Sequence, residues 1–452
     1  MTASSAGTSA YIRRLGVFDT TMVVVGGIIG AGIFLNPAIV AQRVGTPLLT
    51  IAAWCLGGAI ALAGAFCFAE LGARAPRAGG GYVYLRDAFG PLPAFLYGWT
   101  LLLVIATGAI AAVAVSFARY ATELAGASET MVTPVAITAI VLLSAVNYFG
   151  VRPGAWTQNV FTILKIGALL VLIFFGLTMA PAAAAAEAGQ GEPVGSLWIA
   201  MGTALIPVLF AFGGWQQTNF VAEEMKDPAK TLPRVLVLGV LGVIAVYVLS
   251  NVVYVRQLGI DGLAASRAPA ADVMRAAVGE FGATFIAAGI TASMFGFLNL
   301  VILVTPRVYQ AMAADGLFFP AVARLHPRHR TPATALGVQA VWAVLLTLSG
   351  TYGQLLDYVV FGDWIFFGLT AATLFVYRRR DRAESGNGFR APGYPLIPAL
   401  FVLAAAYVVL SSIISNPVNA GIGAVLIGLG VPAYGWFGRG GGTSGRSRVA
   451  GG

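Results

Sequence analysis

Long apolar stretches separated by short polar segments run along the whole chain. Twelve of them reach the length of about 20 residues that a helix needs to cross a bilayer. In hydrocarbon a helix satisfies its backbone hydrogen-bonding groups within its own segment, so the pattern predicts an all-α polytopic membrane protein with twelve transmembrane helices. The predicted spans are residues 17–41, 48–72, 89–122, 131–150, 155–179, 197–222, 233–256, 281–313, 333–351, 354–377, 395–415 and 418–437.

Glycine interrupts two of these spans, the first and the sixth. Residues 26–32 contain four glycines, and residues 207–217 combine Pro207 with the pair Gly213 and Gly214. Each glycine costs a helix about 1 kcal/mol relative to alanine, and unpaired backbone inside a membrane is tolerated only where it lines a cavity or is held by other protein. Close helix packing also explains a single Gly-Gly pair. Two interruptions, each at the start of a five-helix set, instead predict a transporter site near the membrane midplane.

Composition and charge agree with a membrane protein. The 452 residues are 58% hydrophobic and 10% charged, with a mean hydropathy of +0.84, a balance that excludes a soluble domain of this size. Of the 27 Lys and Arg residues, 21 lie on the side that holds both termini, five lie on the other side, and Lys165 lies within a span. The positive-inside rule therefore predicts cytoplasmic termini in a plasma membrane. This distribution accounts for the net charge of +9 and argues against a nucleic-acid partner.

The chain divides into an N-terminal segment, two five-helix sets and a final pair of helices. An odd number of helices in each set inverts the second set relative to the first. The predicted parts are residues 1–16 (cytoplasmic segment), 17–179 (first repeat), 180–377 (second, inverted repeat), 378–437 (inner loop and helices 11 and 12) and 438–452 (disordered tail).

Five sequence motifs occur in order along nearly the whole chain. They are GGIIGAGIFLNP (26–37), AELGARAPRAGGGYVYLRDAFG (69–90), FAFGGWQQTNFVAEEMKDPAKTLPR (210–234), FGFLNLVILVTPRVYQAMAADGLF (295–318) and FGDWIFFGL (361–369). Together they resemble the motifs of the amino acid–polyamine–organocation permeases, above all the L-type amino acid transporter branch and its bacterial relatives. The resemblance implies the leucine-transporter fold, with two inverted five-helix repeats, helices 1 and 6 unwound, and two further helices. It also implies amino acid transport by alternating access, often as exchange.

The interrupted first span offers partners for both charged ends of an amino acid. A helix N-terminus attracts anions, because its first N–H groups have no intrahelical acceptor. We therefore expect the N–H groups of Ala31 and Gly32, with Gly30, to bind the substrate carboxylate. The resemblance implies that backbone carbonyls at the ends of the first half-helices bind the ammonium. These carbonyls belong to Ile28, Phe210 and Ala211.

Further residues shape the predicted side-chain pocket. Gly213 forms its floor, because the missing Cβ leaves room. By the resemblance, Phe210 is an aromatic gate over the substrate, and an ordinary core or lipid-facing phenylalanine is the alternative. Gln216 stands where the L-type members more often have Asn, and Ala31 replaces a frequent Ser. These two departures leave the size and polarity of the pocket open.

Two charged residues lie within predicted spans. An ammonium at the bilayer centre costs at least about 2.5–3.5 kcal/mol, so Lys165 must face the interior of the bundle. The resemblance implies that this lysine lies near the broken first helix and stands in for a sodium ion, which makes transport sodium-independent. Proton coupling through Lys165 and a purely structural role are the alternatives. Asp363 stands where the family usually has a neutral residue; it is either a proton site or part of a wet outer vestibule, and its nearness to the outer end favours the vestibule.

The sequence thus predicts a secondary active transporter for amino acids in a plasma membrane. Neutral L-amino acids are favoured, because an organic cation or polyamine permease would need more acidic side chains than Asp363; a proton-coupled symporter is the other alternative. Both histidines lie in one loop and no intramembrane carboxylate pair or Ser/His set is present, so no enzyme, metal site or cofactor is expected. The outer loop 123–130 lacks cysteine, so we expect no disulfide-linked heavy chain, and a monomer or weak homo-oligomer. The bias toward Arg, Ala and Gly indicates a bacterial source.

Overall fold

The computed structural model describes residues 11–181, 196–349, 352–380 and 388–441. The chain is helical in these ranges. The α-helices are α1 (Val17–Ile28), α2 (Gly32–Val44), α3 (Pro47–Arg74), α4 (Gly81–Phe89), α5 (Pro91–Thr100), α6 (Ala106–Leu124), α7 (Val132–Tyr148), α8 (Val151–Thr178), α9 (Leu197–Ala211), α10 (Pro228–Ala265), α11 (Pro269–Val304), α12 (Pro306–Ala314), α13 (Ala333–Ser349), α14 (Tyr352–Arg380), α15 (Leu396–Ser415), α16 (Pro417–Gly428) and α17 (Gly430–Gly441).

Three shorter helical pieces and one β-bridge complete the described chain. A π-helix, Leu101–Ile105, joins α5 to α6, and 3₁₀-helices span Glu129–Met131 and Trp215–Glu224. The bridge pairs Leu15 with Met225. Most of the predicted cytoplasmic segment 1–16 and of the predicted tail lies outside the described residues, and α17 continues as a helix to Gly441, past the predicted start of the disordered tail at 438.

Ten helical segments of the described chain are long and apolar enough to cross a membrane. This confirms the prediction of an all-helical, polytopic membrane protein. Two further helices coincide with predicted spans: α13 is apolar but has 17 residues, and α14 has 29 residues and ends in three arginines. Large apolar side chains are exposed on outward faces, among them Phe174, Phe281, Leu403 and Trp436, as a lipid-facing surface requires.

Some helices are longer than their apolar stretches. α10 begins at Pro228 rather than at 233, and α11 begins at Pro269 rather than at 281. Proline suits the first turn of a helix, because the N–H that it lacks would have no intrahelical acceptor there. Both helices bend at a glycine with positive φ, Gly259 (69°) and Gly279 (70°), so each combines a long part with a shorter one.

The first and sixth predicted spans are both interrupted. α1 ends at Ile28 and α2 begins at Gly32, leaving three residues between them that are not helical. α9 ends at Ala211, and the chain continues through residues 212–214 into the 3₁₀-helix Trp215–Glu224. The turn after α9 depends on Gly214, whose φ of +105° is disfavoured for any residue with a Cβ.

These interrupted helices lie at the centre of the packed bundle. α1 packs against α8, α10 and the 3₁₀-helix, while α2 packs against α9 and α10. The two interruptions approach each other too closely to leave room for side chains at two glycines. If Gly214 had a Cβ, that atom would lie 2.1 Å from the carbonyl oxygen of Gly27. A Cβ on Gly32 would lie 2.8 Å from the Cβ of Ala211. The non-helical backbone of the first interruption therefore lies next to that of the second.

A buried ion pair joins the end of the 3₁₀-helix Trp215–Glu224 to the start of α12, near the N-terminal segment. The Glu224 carboxylate and the Arg307 guanidinium are 2.8 Å apart, and each side chain is 3% exposed. Leu15 pairs with Met225 beside them, and the Tyr11 ring lies 5.9 Å from the Arg307 guanidinium. Burial raises the pKa of the Tyr11 hydroxyl, which therefore stays neutral. The chain just before α1 is thereby held against the end of the 3₁₀-helix.

Candidate functional site

A cavity of about 310 Å³ lies between the two interrupted helices, the α5–α6 segment, α11 and α14. This volume is at the lower end of the range of about 300–1,000 Å³ typical of small-molecule sites, so it suits a compact metabolite. The wall is mostly apolar and aromatic. Every residue that the sequence predicts for substrate binding lines this one cavity: Ile28, Gly30, Ala31, Gly32, Phe210, Ala211, Gly213 and Gln216.

The start of α2 presents backbone donors to this cavity. Gly32 is the first residue of α2 and Ala31 is its N-cap, and no side chain caps this end of the helix. The first N–H groups of a helix have no acceptor within it, and the helix dipole adds partial positive charge there. Gly30, Ala31 and Gly32 all line the cavity, so their N–H groups can receive a carboxylate.

The carbonyl ends of α1 and α9 meet at a single tyrosine. The Tyr247 hydroxyl lies 3.0 Å from the Ile28 carbonyl oxygen and 3.2 Å from the Ala211 carbonyl oxygen. A hydroxyl has one proton, so these two carbonyls share it, and each keeps a second lone pair. Tyr247 itself is held by ring contacts with Phe212 and Trp54, with centroids 4.9 Å and 5.6 Å away. The two carbonyls predicted to bind an ammonium are therefore held at a fixed separation.

Lys165 lies behind the first interruption and is not among the residues that line the cavity. Its ammonium donates to the carbonyl oxygens of Gly26 at 2.9 Å, Ile29 at 2.6 Å and Ser293 at 3.4 Å. The Ser293 hydroxyl also donates to the carbonyls of Ile29 and Gly30, at 3.3 Å each. The side chain of Lys165 is fully buried. One ammonium thus stabilises the non-helical backbone between α1 and α2 and joins it to α8 and α11.

Three residues at and just after the end of α9 shape the other wall of the cavity. Gln216 is 4% exposed, and its side-chain oxygen accepts a hydrogen bond of 2.9 Å from the Gly214 N–H. It therefore supports the turn that follows α9. Phe210 is 43% exposed, which leaves its ring free to move. A Cβ added at Gly213 would meet only neighbouring carbonyl oxygens, the nearest being that of Phe210 at 3.3 Å.

Asp363 reaches the same cavity from α14. Among the described residues that line the cavity, it is the one with a charged side chain, and no described residue forms a hydrogen bond or ion pair with it. Neighbouring aromatic residues of the wall are Tyr97, Trp364 and Phe367. The structure therefore brings Asp363 together with the glycine interruptions in one space.

The sequence model of the family described as amino acid permease matches residues 15–435 of the chain. The chain belongs to this family. The permease is 30% identical over 426 residues to the serine/threonine exchanger SteT of Bacillus subtilis, covering 93% of this chain and 96% of that protein. It is 31% identical over 450 residues to the large neutral amino acids transporter small subunit 2 of Homo sapiens (95% and 81%). It is also 32% identical over 419 residues to the human b(0,+)-type amino acid transporter 1 (91% and 84%).

These relatives confirm the resemblance to the L-type branch and the prediction of a transporter rather than an enzyme. The protein is an amino acid permease of a multi-pass, membrane-spanning type.

The permease has two site residues that sequence reasoning missed. Tyr247 is one of 15 tyrosines in the chain and lies in an uninterrupted apolar span, so nothing in its local pattern distinguishes it. Ser293 lies within an equally ordinary stretch of α11. Both act on backbone carbonyls that belong to a distant part of the chain, and only the packing of α10 and α11 against α1 brings them there.

Replacing Tyr247 with phenylalanine should raise the KM for amino acid uptake by about two- to tenfold. The variant loses one shared hydrogen bond, whose net value is about 0.5–1.5 kcal/mol, and the carbonyls of Ile28 and Ala211 lose their common anchor. Initial rates of labelled amino acid uptake into proteoliposomes measure the change. Tyr254→Phe is the matched control on the same helix, because the buried Tyr254 hydroxyl has no hydrogen-bond partner among the described residues. Equal effects in the two variants would contradict the assignment.

Proposed function

We propose that this permease exchanges amino acids across the cell membrane by alternating access, without sodium. The α-carboxylate binds the N–H groups at the start of α2, and the α-ammonium binds the carbonyls at the ends of α1 and α9. The observation that carries this proposal is the single cavity that contains both interruptions and all eight predicted residues. Such a site uses backbone groups for the part that all amino acids share and leaves the surrounding wall to choose the side chain.

The proposal includes twelve transmembrane helices arranged as two inverted five-helix repeats and a final pair. The order of elements supports it, because the interrupted helices come first in each set of five. The packing supports it as well. Two inverted repeats should have matching helix contacts. The contact of α1 with α10 in one repeat pairing should match that of α9 with α3, and the contact of α8 with α11 should match that of α14 with α6. All four contacts are present.

Orientation and ion dependence follow from charge. The excess of Lys and Arg in the loops on the side of both termini supports a cytoplasmic location for these ends. Lys165 supports sodium independence, because its ammonium already supplies a positive charge to the carbonyls of Gly26, Ile29 and Ser293. A sodium ion could bind these carbonyl oxygens only by displacing the Lys165 ammonium, which is part of the chain.

Counterflow in proteoliposomes tests the exchange. Purified permease is reconstituted into vesicles that are loaded with unlabelled amino acid or left empty, and a panel of labelled amino acids is added outside. We expect internal substrate to accelerate uptake several-fold, and replacement of external sodium by choline to leave the rate unchanged. Uptake that is indifferent to internal substrate would indicate a channel. Uptake driven in empty vesicles by an inward proton gradient would indicate proton symport.

A further inference from the structure

Among the described residues that line the substrate cavity, Asp363 is the one with an acidic side chain. The cavity's polar side chains other than Asp363 are neutral: Asn36, Ser116, Gln216, Gln217 and Thr305. Every lysine and arginine of the described chain lies outside this wall. Lys165, the buried lysine of α8, is held by three carbonyl oxygens and does not line the cavity.

A carboxylate in a mostly apolar cavity is costly unless a cation accompanies it or it takes up a proton. The described part of the protein supplies no cation at Asp363, so the compensating positive charge is either a proton or a group of the substrate that enters the cavity. The α-ammonium of an amino acid has its own acceptors, the carbonyls of Ile28 and Ala211 on α1 and α9. Asp363 stands on a different element, α14, and so offers a separate third point of contact.

The surroundings of Asp363 also favour a cation. Tyr97, Trp364 and Phe367 line the same cavity. Aromatic faces attract ammonium and guanidinium groups, more strongly where water is excluded. A cavity wall that holds a carboxylate and three aromatic rings suits a positively charged side chain.

We propose that Asp363 makes this permease selective for amino acids with a positively charged side chain, an ammonium or a guanidinium. The proposal rests on the proposed function and names the class of substrate at that site. It differs from the sequence-based expectation of neutral substrates, which rested on Asp363 being the one acidic candidate for a cation site. The backbone of the substrate binds at the two interruptions, and its side chain extends across the cavity toward α14.

Uptake by wild type and an Asp363→Asn variant tests the selectivity. KM values are measured for labelled lysine, arginine and leucine in preloaded proteoliposomes. We expect wild type to prefer lysine and arginine, and the variant to lose at least about tenfold in affinity for both, because the partner of a desolvated charge pair is removed. The readout is the ratio of the lysine and arginine KM values to the leucine KM, which should rise in the variant. Asp261→Asn is the matched control, since Asp261 is an exposed carboxylate outside the cavity.

Two further measurements keep the test decisive if the Asn variant folds poorly. In wild type, unlabelled lysine should inhibit uptake much better than norleucine, an uncharged analogue of similar length. Asp363→Glu should retain the preference for cations, because it keeps the charge. Equal inhibition by lysine and norleucine would overturn the proposal. It would also be overturned if the Asp363→Asn variant kept its preference for lysine and lost only its response to a proton gradient. Wild type that exchanges no amino acid of the panel would instead refute the proposed function.

Discussion

Replacing Gly214 with alanine should abolish transport and destabilise the permease by about 3 kcal/mol or more. Two effects add: φ at this residue is +105°, which strains any residue with a Cβ, and the new methyl group would lie 2.1 Å from the carbonyl oxygen of Gly27. The atom in its way is backbone, which cannot move aside as a flexible side chain can. Relief requires the two interruptions to separate, and the cavity between them would lose its shape.

Thermal unfolding of the detergent-solubilised protein and uptake into proteoliposomes measure the two consequences separately. Gly242→Ala is the control, because Gly242 lies within helix α10 and an added Cβ would meet no atom within 4 Å. Alanine is favoured over glycine in a helix by about 1 kcal/mol, so this variant should be as stable as wild type or slightly more stable. A Gly214→Ala protein with the uptake and melting temperature of wild type would show that the two backbones do not meet as described.

The main features of the fold could be predicted from the sequence, because a bilayer imposes simple requirements. A span must be long and apolar, and an interruption in it must be explained. The glycines at 26–32 and the Gly213–Gly214 pair stand out for this reason, and the residues beside them line one cavity. Lys165 stands out for the same reason, since a buried charge in hydrocarbon needs partners.

The details that depend on contacts between helices could not be predicted in this way. Hydrophobic periodicity says little about the rotation and tilt of a helix whose faces are all apolar. The bond from the Tyr247 hydroxyl to two carbonyls requires the faces of α10, α1 and α9 to be known together. The same holds for Asp363: its distance from the end of a span suggested a vestibule, whereas the packing of α14 decides which space its side chain enters. Gln216 lines the cavity as the sequence predicts, and the bond from the Gly214 N–H to its side-chain oxygen is a further contact that the sequence does not indicate.

Replacing Lys165 with alanine should lower uptake by at least about tenfold in sodium-free medium. The three buried carbonyl oxygens would each lose one donor. Ile29 keeps the Ser293 hydroxyl as a donor, and a buried group left unsatisfied costs about 1–3 kcal/mol. The carbonyl groups of Gly26 and Ile29 flank the end of α1. Without Lys165 the interruption would therefore lose its fixed geometry, and the N–H donors at the start of α2 would lose their alignment. Initial uptake rates, measured with the protein shown to be monodisperse, give the size of the effect. Lys230→Ala is the control, as Lys230 is an exposed lysine at the start of α10.

Dependence on cations separates a lysine that replaces an ion from one that only braces the fold. If the ammonium of Lys165 occupies a cation position, its removal leaves carbonyl oxygens facing a vacated space, and oxygen ligands suit hard cations. Added sodium should then restore part of the lost uptake in Lys165→Ala and have no effect on wild type. A bracing lysine would give a less stable protein whose residual uptake ignores sodium. Uptake kinetics and cation dependence equal to those of wild type would refute any role for Lys165 in the transport cycle.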